Sequence, residues 1–302
     1  MPLLSIALLV LVFVAVMLVA GNNLSACVGP AIGSRIVTKR FGILVGAVGF
    51  SAGLLVQGSG MIHSVGTLLP NASSVLRAEA LLVAITIFVI AYKIRVPMSL
   101  SMALVGFLAG LSVAGKSPDN GLFVGEVVLT WVFVPLISFG LAFGFSRLLN
   151  MSRSTNFWHH LQAYKVIIVV ASFTAAYVTG ANTLGMIVAA GGFDLASVLA
   201  AEVAIFVGSF FLSEGPIHRV SEEFFLMRYA SVAVTLVTSS ILVEVATFFN
   251  IPLSIIQTTS TAVFGVGLSY RTKFVSAKPF LKVLVAWVIV PLISFAIGFL
   301  LG

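Results

Sequence analysis

Ten long apolar runs constrain what this chain can fold into more than any other feature of its sequence. Most of them approach the ~20 residues that a helix needs to cross a hydrocarbon core about 30 Å thick. The runs lie near residues 3–20, 41–59, 78–95, 98–115, 122–146, 163–179, 195–213, 227–249, 252–269 and 281–301. Polar and apolar residues do not alternate in them as they do in β-barrel strands. The fold class is therefore predicted to be an all-α polytopic membrane protein with about ten transmembrane helices.

The composition excludes several functional classes. Hydrophobic residues make up 60% of the 302-residue chain and charged residues only 8%, whereas soluble proteins carry about 25% charged residues. A soluble enzyme and a nucleic-acid-binding protein are thus excluded. The single cysteine, Cys27, leaves no basis for a disulfide framework or a multi-cysteine zinc site. No basic residue precedes Leu3–Ala20, so we expect a retained span there and not a cleaved signal peptide.

The distribution of Lys and Arg predicts the orientation of the chain. Fourteen of the sixteen basic residues fall on one side of the predicted spans, and only Arg77 and Lys116 fall on the other. An excess of basic residues marks the cytoplasmic side. We therefore expect a multi-pass protein of the cell membrane with both termini outside. The net charge of +7 then reflects topology and not a nucleic-acid-binding surface.

The sequence is also duplicated. Trp131–Phe139 recurs as Trp287–Phe295 with eight of nine residues identical, at a separation of 156 residues. Shorter matches pair Pro97-x-Ser99 with Pro252-x-Ser254, Asn22 with Asn182, and His63 with His218. Each half holds five predicted spans, an odd number, so the second half enters the membrane in the opposite direction. We expect two inverted-topology repeats, 1–149 and 163–302, joined by a short cytoplasmic linker at 150–162.

Two repeated polar motifs interrupt the apolar runs. Asn22–Ser34 is too short and too polar for a span, so we expect a half-helix that re-enters the membrane. Gly21 and its counterpart Gly180 would then mark the breaks in the chain. Pro97 and Pro252 each open a run and are followed by serines. Proline suits the first helical turn, serine can cap free amides, and a helix N-terminus attracts anions without any lysine. The motifs therefore predict an anion site at these helix N-termini.

These motifs resemble those of the inorganic phosphate transporter (PiT) family. Asn22–Ser34 is similar to the family signature GANDVANAxGxxVGS, and Gly180–Thr183 is similar to its second copy. Pro97-x-Ser99 and Pro252-x-Ser254 are similar to the family's PxSTTH segments. The resemblance covers nearly the whole chain. It implies cation-coupled uptake of a tetrahedral oxyanion bound between the repeats, with sodium or a proton as the co-transported ion and no cofactor.

The candidate residues fall into three sets. The substrate-binding candidates are Asn22, Asn23, Ser25, Ser99, Ser101, Asn182, Thr183, Ser254, Gln257 and Thr258. The coupling-ion candidates are Asn22, Asn182, Glu202 and Glu244, and the hinge candidates are Gly21, Gly180, Pro97 and Pro252. Glu202 and Glu244 lie inside apolar runs, where ionisable residues are costly and often functional. The alternative for each is a helix–helix hydrogen bond from a neutral carboxyl. For His63 and His218, both a functional role and an ordinary interfacial position stay open.

The chain departs from the family pattern at positions that bear on the substrate. Asn23 and Thr183 stand where the family has aspartate, and both motif histidines are also replaced. Phosphate keeps a P–OH group at neutral pH and needs a hydrogen-bond acceptor, whereas sulfate only accepts hydrogen bonds. A site without carboxylates therefore suits sulfate. The sequence predicts a phosphate carrier, with a sulfate permease of the same family as the alternative.

Other classes and partners follow from what the sequence lacks or allows. A passive anion channel is less expected, because the polar residues cluster in two segments per half and form no continuous pore lining. No nucleophile–base pair or metal-ligand set is visible in the apolar runs, so the chain is not expected to be an enzyme. We expect the oxyanion and membrane lipid as partners and no nucleic acid, and a homodimer stays open.

Overall fold

The computed structural model describes residues 2–68, 70, 72–93, 98–115, 118–151, 157–218, 228–270 and 277–302. The main helices are α1 (Pro2–Gly33), α2 (Lys39–Gln57), α3 (Met61–Leu68), α4 (Ser74–Lys93), α5 (Leu100–Ala114), α6 (Pro118–Met151), α7 (Phe157–Thr179), α8 (Gly185–Gly191), α9 (Leu195–Phe211), α10 (Tyr229–Phe248), α11 (Ile255–Ser269) and α12 (Ala277–Leu301). A 3₁₀ turn, Gly58–Gly60, joins α2 to α3, and a π-helical turn, Gly180–Leu184, joins α7 to α8. The predicted helical class is thus confirmed.

Seven helical stretches of the described chain are long and apolar enough to cross a membrane, so the protein is a multi-pass membrane protein. They are Leu3–Gly33, Lys39–Leu68, Ser74–Lys93, Gly121–Leu149, Gln162–Gly191, Tyr229–Phe248 and Leu284–Leu301. Helices α5, α9 and α11 have only 15, 17 and 15 residues. At 1.5 Å per residue they are about 22–26 Å long, which is less than the hydrocarbon thickness. The expected count of about ten transmembrane helices is therefore not confirmed.

The short helices α5 and α11 begin only at Leu100 and Ile255, because the residue before each of them is extended. Ser99 has φ −106° and ψ 130°, and Ser254 has φ −87° and ψ 127°. Every residue of α5 from Leu100 to Ser112 is buried. A non-helical backbone at membrane depth is tolerated where protein surrounds it, and this burial meets that condition for α5.

Helix α1 corrects the expectation of a re-entrant half-helix at Asn22–Ser34. It runs without interruption from Pro2 to Gly33, so the chain does not break at Gly21. Gly21 instead permits close packing, since a methyl group there would lie 2.6 Å from Leu212 Cβ on the turn after α9. The polar side chains of the motif bond within the helix and leave its backbone intact. In the second half the helix is distorted, not ended, by the π-helical turn that starts at Gly180.

A close contact between a glycine of one half of the chain and a backbone carbonyl of the other half occurs twice. In the second contact the two halves have exchanged roles. A methyl group on Gly53 of α2 would lie less than 3.0 Å from the carbonyl oxygen of Tyr177 on α7. Its counterpart 155 positions later, Gly208 of α9, meets the carbonyl oxygen of Met17 on α1 in the same way. Tyr177 in turn lies 160 positions after Met17. The contact therefore recurs with its two sides exchanged between the halves of the chain.

A second exchanged pair joins the other ends of the halves. Gly110 of α5 packs against the carbonyl oxygen of Phe295 on α12, and Gly265 of α11 packs against that of Phe139 on α6. Gly265 follows Gly110 by 155 positions, and Phe295 follows Phe139 by 156. Small residues at these crossings let the backbones approach closely, as is common between helices in lipid. The first-half and second-half helices therefore interlock and do not form two separate bundles.

Helix α9 begins at a capped terminus outside the apolar core. Asp194 has extended backbone geometry, and its side chain accepts hydrogen bonds from the backbone N–H and the hydroxyl of Ser197. These bonds hold the pKa of the Asp194 carboxyl below its usual value. Its contribution to stability is therefore present at neutral pH and is lost as the pH falls through the depressed folded-state pKa.

We expect Asp194→Ala to lower the free energy of unfolding by about 1 kcal/mol because the first turn of α9 loses its cap. The measurement is thermal unfolding of the purified protein at pH 7 and at acidic pH. The difference between wild type and variant should shrink in acid. Asp194→Asn is the matched control, since asparagine also caps helices. Equal unfolding of wild type and Asp194→Ala at neutral pH would refute the role of the cap.

Candidate anion-binding site

The first polar motif lies on α1 and leaves one buried amide donor free. Asn22 Nδ2 donates to Asn23 Oδ1 at 3.2 Å, and Ser25 Oγ donates to the carbonyl oxygen of Asn22 at 2.7 Å. Asn23 is 1% exposed, and its Nδ2 has no hydrogen-bond partner among the described residues. The helix therefore holds Asn23 with its acceptor occupied and its donor available.

The second copy of the motif lies in the π-helical turn and is used differently. Asn182 is fully buried, and its Nδ2 donates to Thr247 Oγ1 at 3.0 Å and to the carbonyl oxygen of Ile251 at 2.9 Å. Its Oδ1 accepts from the backbone N–H of Leu253 at 2.9 Å. Asn182 thus ties the turn to the segment that leads into α11. The equivalence to Asn22, which the duplication suggests, does not extend to these bonds.

Thr183, the neighbour of Asn182, matches Asn23 in the duplication. It is fully buried, and its Oγ1 has no hydrogen-bond partner in the described part of the chain. The two positions that the sequence comparison pairs therefore both present a free buried donor. A π-helical turn inside an α-helix often marks a functional site, and here it carries Thr183.

Ser99 and Ser254 occupy the N-cap positions of α5 and α11, but neither hydroxyl caps its helix. Ser99 Oγ and Ser101 Oγ hydrogen-bond to each other at 2.7 Å. Ser254 Oγ is buried and lacks a partner within the described ranges. Since the first amides of a helix have no acceptor within the helix, both termini retain donors for an anion.

Helix α11 adds a polar stretch to the site. Thr258 Oγ1 bonds back to the carbonyl oxygen of Ile255 at 3.1 Å, while Gln257 Oε1 is buried and unpaired among the described residues. Thr259, which the sequence interpretation omitted, is 4% exposed and likewise has an unpaired hydroxyl there. The run of polar residues from Gln257 to Thr261 in an otherwise apolar segment was the signal that could have identified Thr259.

Helix packing brings several of these segments together. Helix α1 contacts both the π-helical turn and α11, and α5 contacts α8 directly after that turn. The segment before α11 is fixed from the first half, since Trp131 Nε1 donates to the carbonyl oxygen of Pro252 at 2.7 Å. Pro97, the counterpart of Pro252, lies outside the described residues. Gly180 starts the π-helical turn and packs against the backbone of Phe50 on α2.

The two acids inside the apolar runs each form a helix–helix hydrogen bond to α2. Glu202 accepts from the hydroxyl of Ser51, and Glu244 accepts from Gln57 Nε2 at 3.1 Å. Glu202 Oε1 and Glu244 Oε2 are buried and unpaired in the part of the chain that the structure describes. One oxygen of each carboxyl therefore accepts a helix–helix hydrogen bond, which does not require a neutral carboxyl, and the second oxygen remains available.

The histidines lie apart from these buried groups. His63 on α3 and His218, beyond the end of α9, are both exposed. Near His218, Glu214 forms an ion pair with Lys39 at the start of α2. That hydrogen bond holds the pKa of the Glu214 carboxyl below its usual value. The described chain contains no group of three or more His, Cys, Asp or Glu residues that could hold a metal ion.

Comparison with known proteins identifies the family. The model of the phosphate transporter family matches residues 19–190 and again residues 156–298, so both halves of the chain match it. The chain belongs to the phosphate transporter family. The resemblance of the motifs to this family is thus confirmed, and the family consists of transporters, not enzymes.

Relatives within the phosphate transporter family carry different substrate names. A sulfate permease of Bacillus subtilis, CysP, is 25% identical over 298 residues, covering 94% of this chain and 83% of the relative. A putative phosphate permease of Methanocaldococcus jannaschii is 23% identical over 300 residues, covering 97% and 95%. A solved structure, described as the sodium-dependent phosphate transporter, matches with a TM-score of 0.82 and 16% identity over 99% of this chain and 98% of that one. At that identity the likeness shows a shared fold.

Proposed function

We propose that this chain is a secondary transporter that imports inorganic phosphate across the cell membrane by alternating access, driven by a cation gradient. The observation that carries the proposal is the set of free donors at Asn23 Nδ2, Thr183 Oγ1 and Ser254 Oγ. All three belong to the repeated motifs of a chain from the phosphate transporter family.

Free buried donors are costly unless a ligand satisfies them. Each unsatisfied polar group buried in protein costs about 1–3 kcal/mol. None of the binding candidates carries a positive charge, so the attraction for an anion would come from amides, hydroxyls and helix N-termini. A tetrahedral oxyanion has acceptors in four directions and could satisfy donors from α1, the π-helical turn and α11 at once.

The exchanged glycine contacts support the alternating-access part of the proposal. In transporters with inverted repeats, one repeat moves against the other around a fixed midplane site. The contacts of Gly53 with Tyr177 and of Gly208 with Met17 relate the halves as such an arrangement requires. The basic-residue distribution then supports placing both termini outside.

Sulfate is the second candidate substrate, and two observations favour it. Neither Asn23 nor Thr183 supplies a carboxylate to accept the proton of P–OH. The sulfate permease CysP is also among the relatives that match nearly the full chain. Phosphate remains first because the family model and the permease of Methanocaldococcus jannaschii carry that name.

We expect Asn23→Asp to shift selectivity towards phosphate. The aspartate would accept the P–OH hydrogen and repel sulfate, and a difference of about 1–3 kcal/mol corresponds to a selectivity change of roughly 5- to 150-fold. The measurement is uptake of labelled phosphate into proteoliposomes with increasing unlabelled sulfate. Cys27→Ala is the matched control, since it alters α1 one turn later, adds no charge and lies outside the binding candidates. Identical competition curves for wild type and Asn23→Asp would remove Asn23 from the site.

The same assay on the wild-type protein tests the proposal itself. Uptake of labelled phosphate and, in parallel, of labelled sulfate is measured with and without sodium and at two pH values, with the other anion as competitor. Saturable phosphate uptake that a cation gradient increases supports the proposal. Uptake of sulfate with no detectable phosphate transport favours the second candidate, and transport of neither anion contradicts both.

A further inference from the structure

Glu244 is a half-buried ionisable group that the anion site does not use. It lies on α10, four residues before the last residue of the helix, and its Oε1 accepts from Gln57 Nε2 of α2 at 3.1 Å. Its Oε2 is buried and has no partner among the described residues. Ionisable residues within membrane helices are rare and commonly mark ion or proton pathways. The free oxygen leaves Glu244 able to take up a proton.

One turn of α10 connects this carboxyl to the anion site. Thr247 lies three residues after Glu244, on the same face of the helix. Its hydroxyl accepts from Asn182 Nδ2 at 3.0 Å and donates to the carbonyl oxygen of Val243 at 2.7 Å. Asn182 also binds the segment that ends at Ser254. A change in the tilt of α10 at Glu244 would therefore displace both the π-helical turn and the start of α11, because Thr247 and Asn182 join them.

The groups around Glu244 fit a proton better than a metal cation. Gln57 donates its N–H to Oε1, so a metal cation at this carboxyl would face the positive end of the N–H dipole, whereas Oε2 is left as the oxygen that can take a proton. Tyr177 on α7 lies within electrostatic range of it, and Lys165 on the same helix is exposed. Helices α1 and α11, which also pack on α10, carry no charged residue, and Glu126 and Arg147 of α6 are exposed. Among the residues that the structure describes on these helices, no second carboxylate is therefore at hand to complete a cation site.

We propose that Glu244 is the proton-binding residue that couples transport to the proton gradient, acting through Thr247 and Asn182. This inference rests on the proposed transport function. When ionised, the carboxylate places negative charge close to the anion site and disfavours the oxyanion. A proton taken up from the outer side on Oε2 removes that charge, and the proton leaves to the inner side after the anion is released. Because such coupling is reciprocal, each of the two ligands favours binding of the other.

The test is Glu244→Gln in proteoliposomes, assayed in two ways with labelled phosphate and labelled sulfate. One assay measures accumulation driven by an inward proton gradient, and the other measures exchange at equal pH. A gradient of about one pH unit supplies ~1.4 kcal/mol per proton, which supports about tenfold accumulation. We expect the wild type to reach this ratio, and Glu244→Gln to fall to a ratio of about one while it keeps exchange. The glutamine is permanently neutral, so the protein cycles with anion but carries no proton.

Controls and further outcomes separate coupling from folding. Glu126→Gln removes an exposed carboxyl from α6 and should accumulate like the wild type. Glu244→Asp keeps a carboxyl and should restore accumulation with a shifted pH profile. Normal accumulation by Glu244→Gln overturns the inference, as does loss of exchange at unchanged thermal stability. If Glu244→Gln unfolds, the pH dependence of accumulation by Glu244→Asp tests the inference in its place. A pH dependence identical to that of the wild type would then overturn the inference. Absence of all transport by the wild type would instead contradict the proposed function.

Discussion

Asn182→Ala is expected to abolish transport and to destabilise the protein strongly. The substitution removes three buried hydrogen bonds and leaves the N–H of Leu253 and the carbonyl of Ile251 unpaired. Each buried unsatisfied group costs about 1–3 kcal/mol, so we expect the free energy of unfolding to fall by about 2–6 kcal/mol. The segment that places Ser254 would lose its attachment to the π-helical turn. The measurements are thermal unfolding and phosphate and sulfate uptake at matched protein amounts in the membrane.

Asn22→Ala is the matched control for this prediction, because the duplication pairs the two asparagines. Asn22 is only partly buried and makes one side-chain bond, to Asn23. We expect its removal to cost about 1 kcal/mol or less, while uptake still falls, because Asn22 positions the amide of Asn23. Unchanged uptake in both variants would contradict the site assignment. Equal losses of stability in Asn22→Ala and Asn182→Ala would contradict the stabilising role of the three hydrogen bonds of Asn182.

Gly53→Ala and Gly208→Ala are expected to prevent correct assembly of the two halves. Each new methyl group would lie less than 3.0 Å from a carbonyl oxygen of the partner helix, at Tyr177 and Met17 respectively. Backbone atoms cannot move aside as the end of a flexible side chain can. Overpacking of this kind costs about 1–3 kcal/mol and sometimes more. We expect losses of at least about 3 kcal/mol in each variant, seen as low yields of folded protein and lower unfolding temperatures.

Gly140→Ala and Gly144→Ala provide the comparison. Both glycines lie on α6, and a methyl group at either position would have no heavy atom within 4 Å. These variants should fold like the wild type. Because Gly53 and Gly208 are equivalent in the duplication, their alanine variants should also lose stability to a similar degree. If Gly53→Ala folded like the wild type while Gly208→Ala lost stability, that result would argue against the exchanged packing.

The class of fold follows from the sequence because hydrophobic length is a direct physical requirement of the bilayer. A run of about 20 apolar residues has few other stable environments. The count of crossings did not follow, since α5 and α9 are apolar but too short, and α11 is short and carries a polar stretch. Composition does not reveal where the chain becomes extended. Ser99 and Ser254 have extended backbones and are buried, and the segment before Ser254 is held by a bond from Leu253 N–H to Asn182, 71 residues away.

The motifs of the site were visible in the sequence, but the bonding of their members was not. Glycine beside two asparagines suggested a break in α1, yet Asn22 and Asn23 bond to each other within an intact helix. Asn182 has a similar sequence context and makes three bonds to distant segments. Which bonds form depends on contacts 65 to 71 residues away in the chain. Local patterns cannot encode such contacts.

The central claim is that this member of the phosphate transporter family carries an oxyanion by exposing one site alternately to each side of the membrane. Counterflow in proteoliposomes tests it most directly. Vesicles are loaded with unlabelled phosphate or sulfate, and entry of the labelled anion is followed at equal pH and equal sodium. The account predicts that the internal anion accelerates entry and that the labelled anion transiently accumulates. Entry of the labelled anion at the same rate into loaded and empty vesicles, without saturation, would contradict this claim.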